Sequence, residues 1–231
     1  MKEVIRDQFG TVVDVVPPRP SFLVCADLGQ SNDYTAVAVL ERSQVRHEAE
    51  AVYRCRHLER YRGRSYVEVA ASLRMLVTTL SQTQKVTLLI DRTGVGAGVV
   101  DVIEAAGVAG DLVSILIHGG DRVSRDGGIW RVPKRDLVGA IAVLLQGGRL
   151  KISPDLTLAP VLTTELQNFR LKFTPSGHDQ YESWREDQHD DLCLAVSLGC
   201  WYGERGELTW DDVDGEDFVN FLHQAGVDLA W

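Results

Sequence analysis

The chain has 231 residues, 45% of them hydrophobic and 25% charged, with 24 Lys+Arg against 33 Asp+Glu for a net charge of −9. This is globular composition, which excludes a disordered or low-complexity chain, and no apolar run approaches the ~20 residues of a membrane span. The opening MKEVIRDQFG, with charges of both signs and no apolar core, does not read as a signal peptide.

Four scattered cysteines (Cys25, Cys55, Cys193, Cys200) form no CxxC pair, which points to reduced thiols in a cytoplasm-like compartment and away from structural zinc. An acidic total counts against nucleic acid as a partner, but the charge is unevenly spread. Residues 1–20 are neutral and residues 204–231 carry −7, so the body between them is nearly neutral.

In chain order, VVPPRP (15–20) reads as a stiff linker, and 1–20 as a linker or N-terminal extension. SFLVCADL (21–28) has the length of a buried strand, and YTAVAVLE (34–41) and HEAEAVYRCRHL (47–58) continue it as an antiparallel meander. SYVEVAASLRMLVTTL (65–80) is an amphipathic helix. The strand KVTLLID (85–91), the helix GVGAGVVDVIEAAG (94–107) and the strand LVSILI (112–117) have the form of a parallel crossover. Further helices are expected over about 134–146, 155–168 and 186–202, with FRLKF (169–173) as a candidate strand. The sum is an α/β domain with a mixed sheet. The acidic remainder reads as a solvated tail, or as a docking helix carrying Phe218, Val219, Phe221, Leu222 and Trp231.

Three acidic positions stand out. Asp27 and Asp91 each end a buried strand, and Asp190 with Asp191 opens the last helix, where the dipole favours ionised carboxylates. Each alone has an ordinary reading as a turn former or helix cap. Together they form a constellation for two divalent cations about 3.5–4 Å apart that clamp the attacking and leaving oxygens of a phosphodiester.

The order ADLGQSNDYTAVAVL, LLIDRTGVGAGVVDVI, IHGG…VPKRDLVGAIAVLLQGGRLKI and HDDLCLAVSLG, covering about 21–203, resembles the nuclease domain of phage terminase large subunits. The resemblance implies a ribonuclease H-like mixed sheet flanked by helices, with 21–203 as the nuclease domain and 204–231 as an acidic C-terminal tail. It implies a divalent-metal-dependent endodeoxyribonuclease (Mg²⁺ or Mn²⁺, two ions) that cuts double-stranded DNA concatemers during viral genome packaging. Its partners would be DNA, an ATPase motor domain, a small terminase subunit and the capsid portal, with no membrane, in the cytoplasm of an infected bacterial host. Carried over by position, Asp27, Asp91, Asp190 and Asp191 are the catalytic metal ligands, with both members of the pair retained, and Asp33 is a supporting residue. The family's motor carries a GxxxxGK[ST] phosphate loop, which is not found in this chain, so the chain is expected to be an excised or separately encoded nuclease domain.

Basic residues cluster twice. Arg54, Arg56, Arg60, Arg62 and Arg64 read equally as a solvated surface or a phosphate contact. Arg122, Arg125, Arg131, Lys134 and Arg135 lie in or just after the Gly-rich GGDRVSRDGG, read as a hairpin over the cleft, and are the expected DNA contacts. His189 is either a helix cap or a contact to metal or phosphate. Gly94, Gly96 and Gly98 match a dinucleotide fingerprint imperfectly and read as a tight turn, and no cofactor-binding residue is assigned. The alternatives are a Holliday-junction resolvase or transposase-like nuclease of the same fold. From another class, ADLGQSNDYTAVAVL resembles the first phosphate loop of actin-like ATPases.

Overall fold

The computed structural model describes residues 4–6, 12–14, 20–29, 33–44, 50–95, 97–108, 110–171 and 190–205. Strands β1 (Val4–Arg6) and β2 (Val12–Asp14) pair antiparallel as a separate two-stranded sheet, structure that the linker reading of 1–20 did not anticipate. Most of VVPPRP, residues 169–189 as a strand-and-loop connection except for 169–171, and the tail beyond 205 lie outside the described residues.

The main sheet opens with the expected meander: β3 (Ser21–Asp27), β4 (Thr35–Ser43) and β5 (Val52–Tyr61), each antiparallel to the next. Helix α1 (Tyr66–Ser81) follows. Its start is fixed by a capping box, in which Ser65 Oγ accepts the Glu68 N–H and the Glu68 carboxylate accepts the Ser65 N–H. Strand β6 (Val86–Asp91), helix α2 (Ala97–Ala105) and strand β7 (Asp111–His118) form the parallel crossover, with β6 parallel to both β3 and β7. Helix α2 begins three residues later than the sequence pattern suggests, because Gly94 (φ 83°) is spent on the turn leaving β6.

Strands β8 (Ser124–Asp126) and β9 (Ile129–Pro133) form a hairpin through Gly127 and Gly128, both at positive φ as a tight two-residue turn of this kind requires. Because β9 runs parallel to β7, the hairpin widens the sheet. Its glycine turn lies at the edge opposite the ends of β3 and β6, which corrects the expectation of a flap over the cleft. Helix α3 (Lys134–Gln146), strand β10 (Leu150–Ile152), helix α4 (Ala159–Leu171) and helix α5 (Asp191–Glu204) complete the body. Residues 169–171 close α4 and do not form the candidate strand. The sheet position beside β5 is taken by β10, and the Leu162/Leu166 periodicity continues the helix. The strand order is β10-β5-β4-β3-β6-β7-β9-β8.

Alternation along the strands splits the core. Val24 and Ala26 face α1 and α2, whereas Leu23 and Cys25 face the layer of α3, α4 and α5. Helix α5 is buried along nearly its whole length, and its small residues let it lie close on the sheet. A Cβ on Gly199 would come within 2.7 Å of Cys25 Sγ and of Leu40 Cδ1, and one on Gly203 within 2.5 Å of the Tyr53 hydroxyl. All four cysteines are buried and free. Among the described residues, no helix is long and apolar enough to cross a membrane.

Candidate metal centre

Asp27 and Asp91 end β3 and β6 and stand opposite each other in the parallel register. Strand alternation turns both towards the α3–α5 layer, where α5 presents its N-terminus. Asp91 is only 5% exposed, and the Thr93 backbone N–H donates to its Oδ1 at 2.8 Å. Burial lifts Asp91 to about 6, against the Thr93 hydrogen bonds and Lys134, which favour the ionised form. Asp27 is pushed well above the usual carboxylate range, first by burial and then by Asp91, Asp191 and Asp190, with Lys134 acting in the opposite direction. Four carboxylates from two strands and one helix therefore share one electrostatic neighbourhood.

The two helix acids have separate partners. Lys134, the first residue of α3, holds Asp190 Oδ2 at 3.2 Å, and Arg60, near the end of β5, holds Asp191 Oδ2 at 2.9 Å. Asp190 occupies the N-cap position of α5 but makes no side-chain capping bond. That duty falls to Glu165 on α4, whose Oε2 accepts the Cys193 backbone N–H at 2.9 Å. Glu165 is 5% exposed, and its Oε1 lies 3.3 Å from Arg60 Nη1. Burial raises Glu165 to about 7, against the Cys193 hydrogen bond and Arg60. The carboxylates of Asp190 and Asp191 are thereby spared from capping.

Glu165 is the component that sequence reading missed. Its signal was present: three residues after Leu162 and adjacent to Leu166, it falls on the apolar stripe of α4, where a carboxylate requires a buried partner. Arg60 has the complementary role. The Arg54–Arg64 run divides, with Arg54 and Arg56 turned to Glu41 and Arg60 turned inward to Glu165 and Asp191. Asp33 is exposed in the turn before β4. His189 lies outside the described residues.

Of the expected DNA contacts, Lys134 alone touches the carboxylate group. Arg135 is bound to Asp121, and Arg122 and Arg131 are exposed. Arg125 lies over the Trp130 ring at 4.9 Å. Trp130 in turn meets Trp201 of α5 edge-on at 5.6 Å, which ties the hairpin to the helix.

Among the described residues, no three His, Cys, Asp or Glu side chains are gathered closely enough to hold a metal ion as they stand. The fit to a cation lies in the chemistry of the donors. Asp27, Asp91, Asp190 and Asp191 are all oxygen donors, which suits Mg²⁺ or Mn²⁺, and the raised values of Asp27 and Asp91 mark carboxylates that a cation would stabilise.

The family model described as Terminase RNaseH-like domain matches residues 24–199. Among solved structures, the P22 large terminase nuclease domain superposes with a TM-score of 0.52 at 14% identity, covering 82% of this chain and 84% of that one. The large terminase nuclease from thermophilic phage G20c gives a TM-score of 0.48 at 20% identity over 81% of this chain and 85% of its own. The large terminase nuclease domain of bacteriophage SPP1, with bound Mn, gives 0.46 at 11% identity over 81% and 88%. No curated protein matches the chain.

Proposed function

This chain belongs to the terminase RNaseH-like domain family, and from that premise we propose that it is a divalent-metal-dependent endodeoxyribonuclease that cuts concatemeric double-stranded DNA during viral genome packaging. One observation carries the reading. Two buried carboxylates, Asp27 and Asp91, stand abreast at the sheet edge and share an electrostatic neighbourhood with Asp190 and Asp191 at the start of α5. In this reading Asp27 and Asp91 hold the ion or ions, and Asp190 and Asp191 complete the set. Bound there, Mg²⁺ or Mn²⁺ supplies Lewis acidity and an activated water for hydrolysis. Lys134 offsets negative charge at the carboxylates and is within reach of a substrate phosphate lying across them. Arg60 and Glu165 keep the first turn of α5 in place, with no covalent enzyme intermediate. DNA would be joined as partner by an ATPase motor domain, a small terminase subunit and the capsid portal, and the site of action would be the infected host's cytoplasm.

The test is incubation of supercoiled plasmid with the purified chain and Mn²⁺ or Mg²⁺, with EDTA as control. Metal-dependent nicking and linearisation are expected. Equal cleavage in EDTA, or none with either metal, ends the reading.

A further inference from the structure

Strands β5, β3, β6, β7 and β9 all run in the same direction, so their C-terminal ends share the sheet edge that carries Asp27 and Asp91. On one flank, β9 ends at Pro133 and passes to Lys134 and Arg135, with Arg122 just before β8. On the other flank, β5 ends at Tyr61 and is followed by Arg62 and Arg64, both exposed. The Arg62 guanidinium lies 3.7 Å from the Tyr34 ring centroid, and Arg60 lies over the same ring at 3.9 Å. Arg64 lies over Tyr61 at 4.1 Å. Among the described residues, the acids on this flank include Asp33, which is exposed, Glu59, which meets His57 at 3.1 Å, and Glu68, whose carboxylate accepts from Ser65 and also feels the charge of Arg64.

A guanidinium stacked on an aromatic face is held parallel to the ring, an orientation in which its N–H edge can meet phosphate oxygens in bidentate geometry. Stacking also restrains a long side chain before it meets a ligand, so less rotamer freedom is lost on binding. From β5 to β9 the sheet order contains five interstrand spacings, a span of roughly 24 Å. That exceeds the major groove alone, about 12 Å wide, and is long enough to cross both grooves of B-DNA.

We propose that Arg62 and Arg64, stacked on Tyr34 and Tyr61, form a second phosphate-binding lip opposite Arg122, Lys134 and Arg135, so that double-stranded DNA lies across the sheet edge with both lips on its backbone. The proposal rests on the nuclease reading and specifies how its substrate is held. Phosphate contacts of this kind carry no base preference and make binding steeply salt-dependent.

The experiment measures binding of a labelled linear duplex by fluorescence anisotropy over a salt series, with Ca²⁺ in place of Mn²⁺. The R62A/R64A variant is expected to bind about tenfold more weakly, with the slope of log K against log salt reduced by about 2, one unit for each arginine lost. R62K/R64K, which keeps the charge without the stack, recovers the slope. If R62A/R64A loses its circular dichroism melt, R62Q/R64Q is read in the same way. Affinity and slope equal to wild type in the neutral variants overturn the lip, as does an equal loss with single-stranded DNA and none with duplex. If wild type binds duplex and cuts plasmid with metal while the variants bind equally well, only the lip fails. If wild type neither binds nor cuts DNA, the nuclease reading fails with it.

Discussion

The two ends of α5 hold charge in opposite ways. At the C-terminal end, Glu204 receives two Arg149 N–H groups, at 3.0 and 2.6 Å, and the Tyr53 hydroxyl at 2.9 Å. Arg149 also reaches Glu50, and Arg42 donates to the Gly203 carbonyl. Acid and base alternate there, and the group holds together without help. At the N-terminal end, Lys134 holds Asp190 and Arg60 holds Asp191, Asp27 and Asp91 share their electrostatic neighbourhood, and burial disfavours the ionised form of the two that end strands. The first arrangement contributes to the fold. The second carries a cost in stability, which fits the ligand-holding role proposed for it.

The largest expected effect comes from neutralising the costly end. Asp27→Asn should lower metal-dependent plasmid cleavage by at least about a hundredfold. The same variant should melt no lower than wild type in EDTA, because it replaces a carboxyl whose ionised form burial and three neighbouring aspartates oppose. Undiminished cleavage would show that Asp27 holds no ion needed for the reaction.

Next comes pH. Asp91 (about 6), Glu165 (about 7) and Asp27 all bind protons more tightly in the folded chain than in the unfolded one. Their contribution therefore favours folding below about pH 4 and is lost as pH rises towards 7, at about 1.4 kcal/mol per pKa unit. In EDTA, stability measured by urea unfolding should decline by a few kcal/mol across that window, and Mn²⁺ should restore it at pH 7 by binding the native state. A metal-free profile that rises from pH 4 to 7 would contradict this.

Glu204→Ala should do the reverse of Asp27→Asn. It should cost about 1–2 kcal/mol in urea unfolding, by leaving Arg149 and Tyr53 without their shared acceptor, and leave the half-saturating metal concentration unchanged. A shift in metal dependence would mean that the two ends of α5 are coupled. The smallest effect belongs to Arg56→Ala. Its pair with Glu41 is short, at 2.7 Å, but the arginine side chain is 53% exposed, so the melt should shift by no more than about 0.5 kcal/mol.

Much of this architecture is written in local sequence. The buried runs FLVCA and VTLLI form strands β3 and β6, and the acids expected at their ends, Asp27 and Asp91, stand at the edge of the candidate site. Helix α3 spans the expected 134–146, from Lys134 to the Gly147-Gly148 stop. What escaped were features that depend on neighbours distant in sequence. Strand β10 is three residues that pair only because β5 offers an open edge, and no periodicity announces so short a strand. The hairpin's glycines were visible, but its direction depends on β7. The capping of α5 by Glu165 joins residues 28 apart and replaces the local cap that Asp190 would ordinarily supply. Local rules find elements, whereas the division of labour between Asp190, Asp191 and Glu165 is a tertiary property.

The close seat of Gly199 on Cys25 and Leu40 can be read mechanically. It is the fulcrum of a rigid rod, and the paired aspartates lie eight and nine residues away along it, an arm of about 12–14 Å at 1.5 Å per residue. A tilt of about 5° at such a fulcrum swings the far end by about 1 Å, several times the roughly 0.2 Å tolerance of a metal–oxygen bond. A methyl group at residue 199, eight residues from the nearer acid, would thus detune the distant carboxylates without touching them.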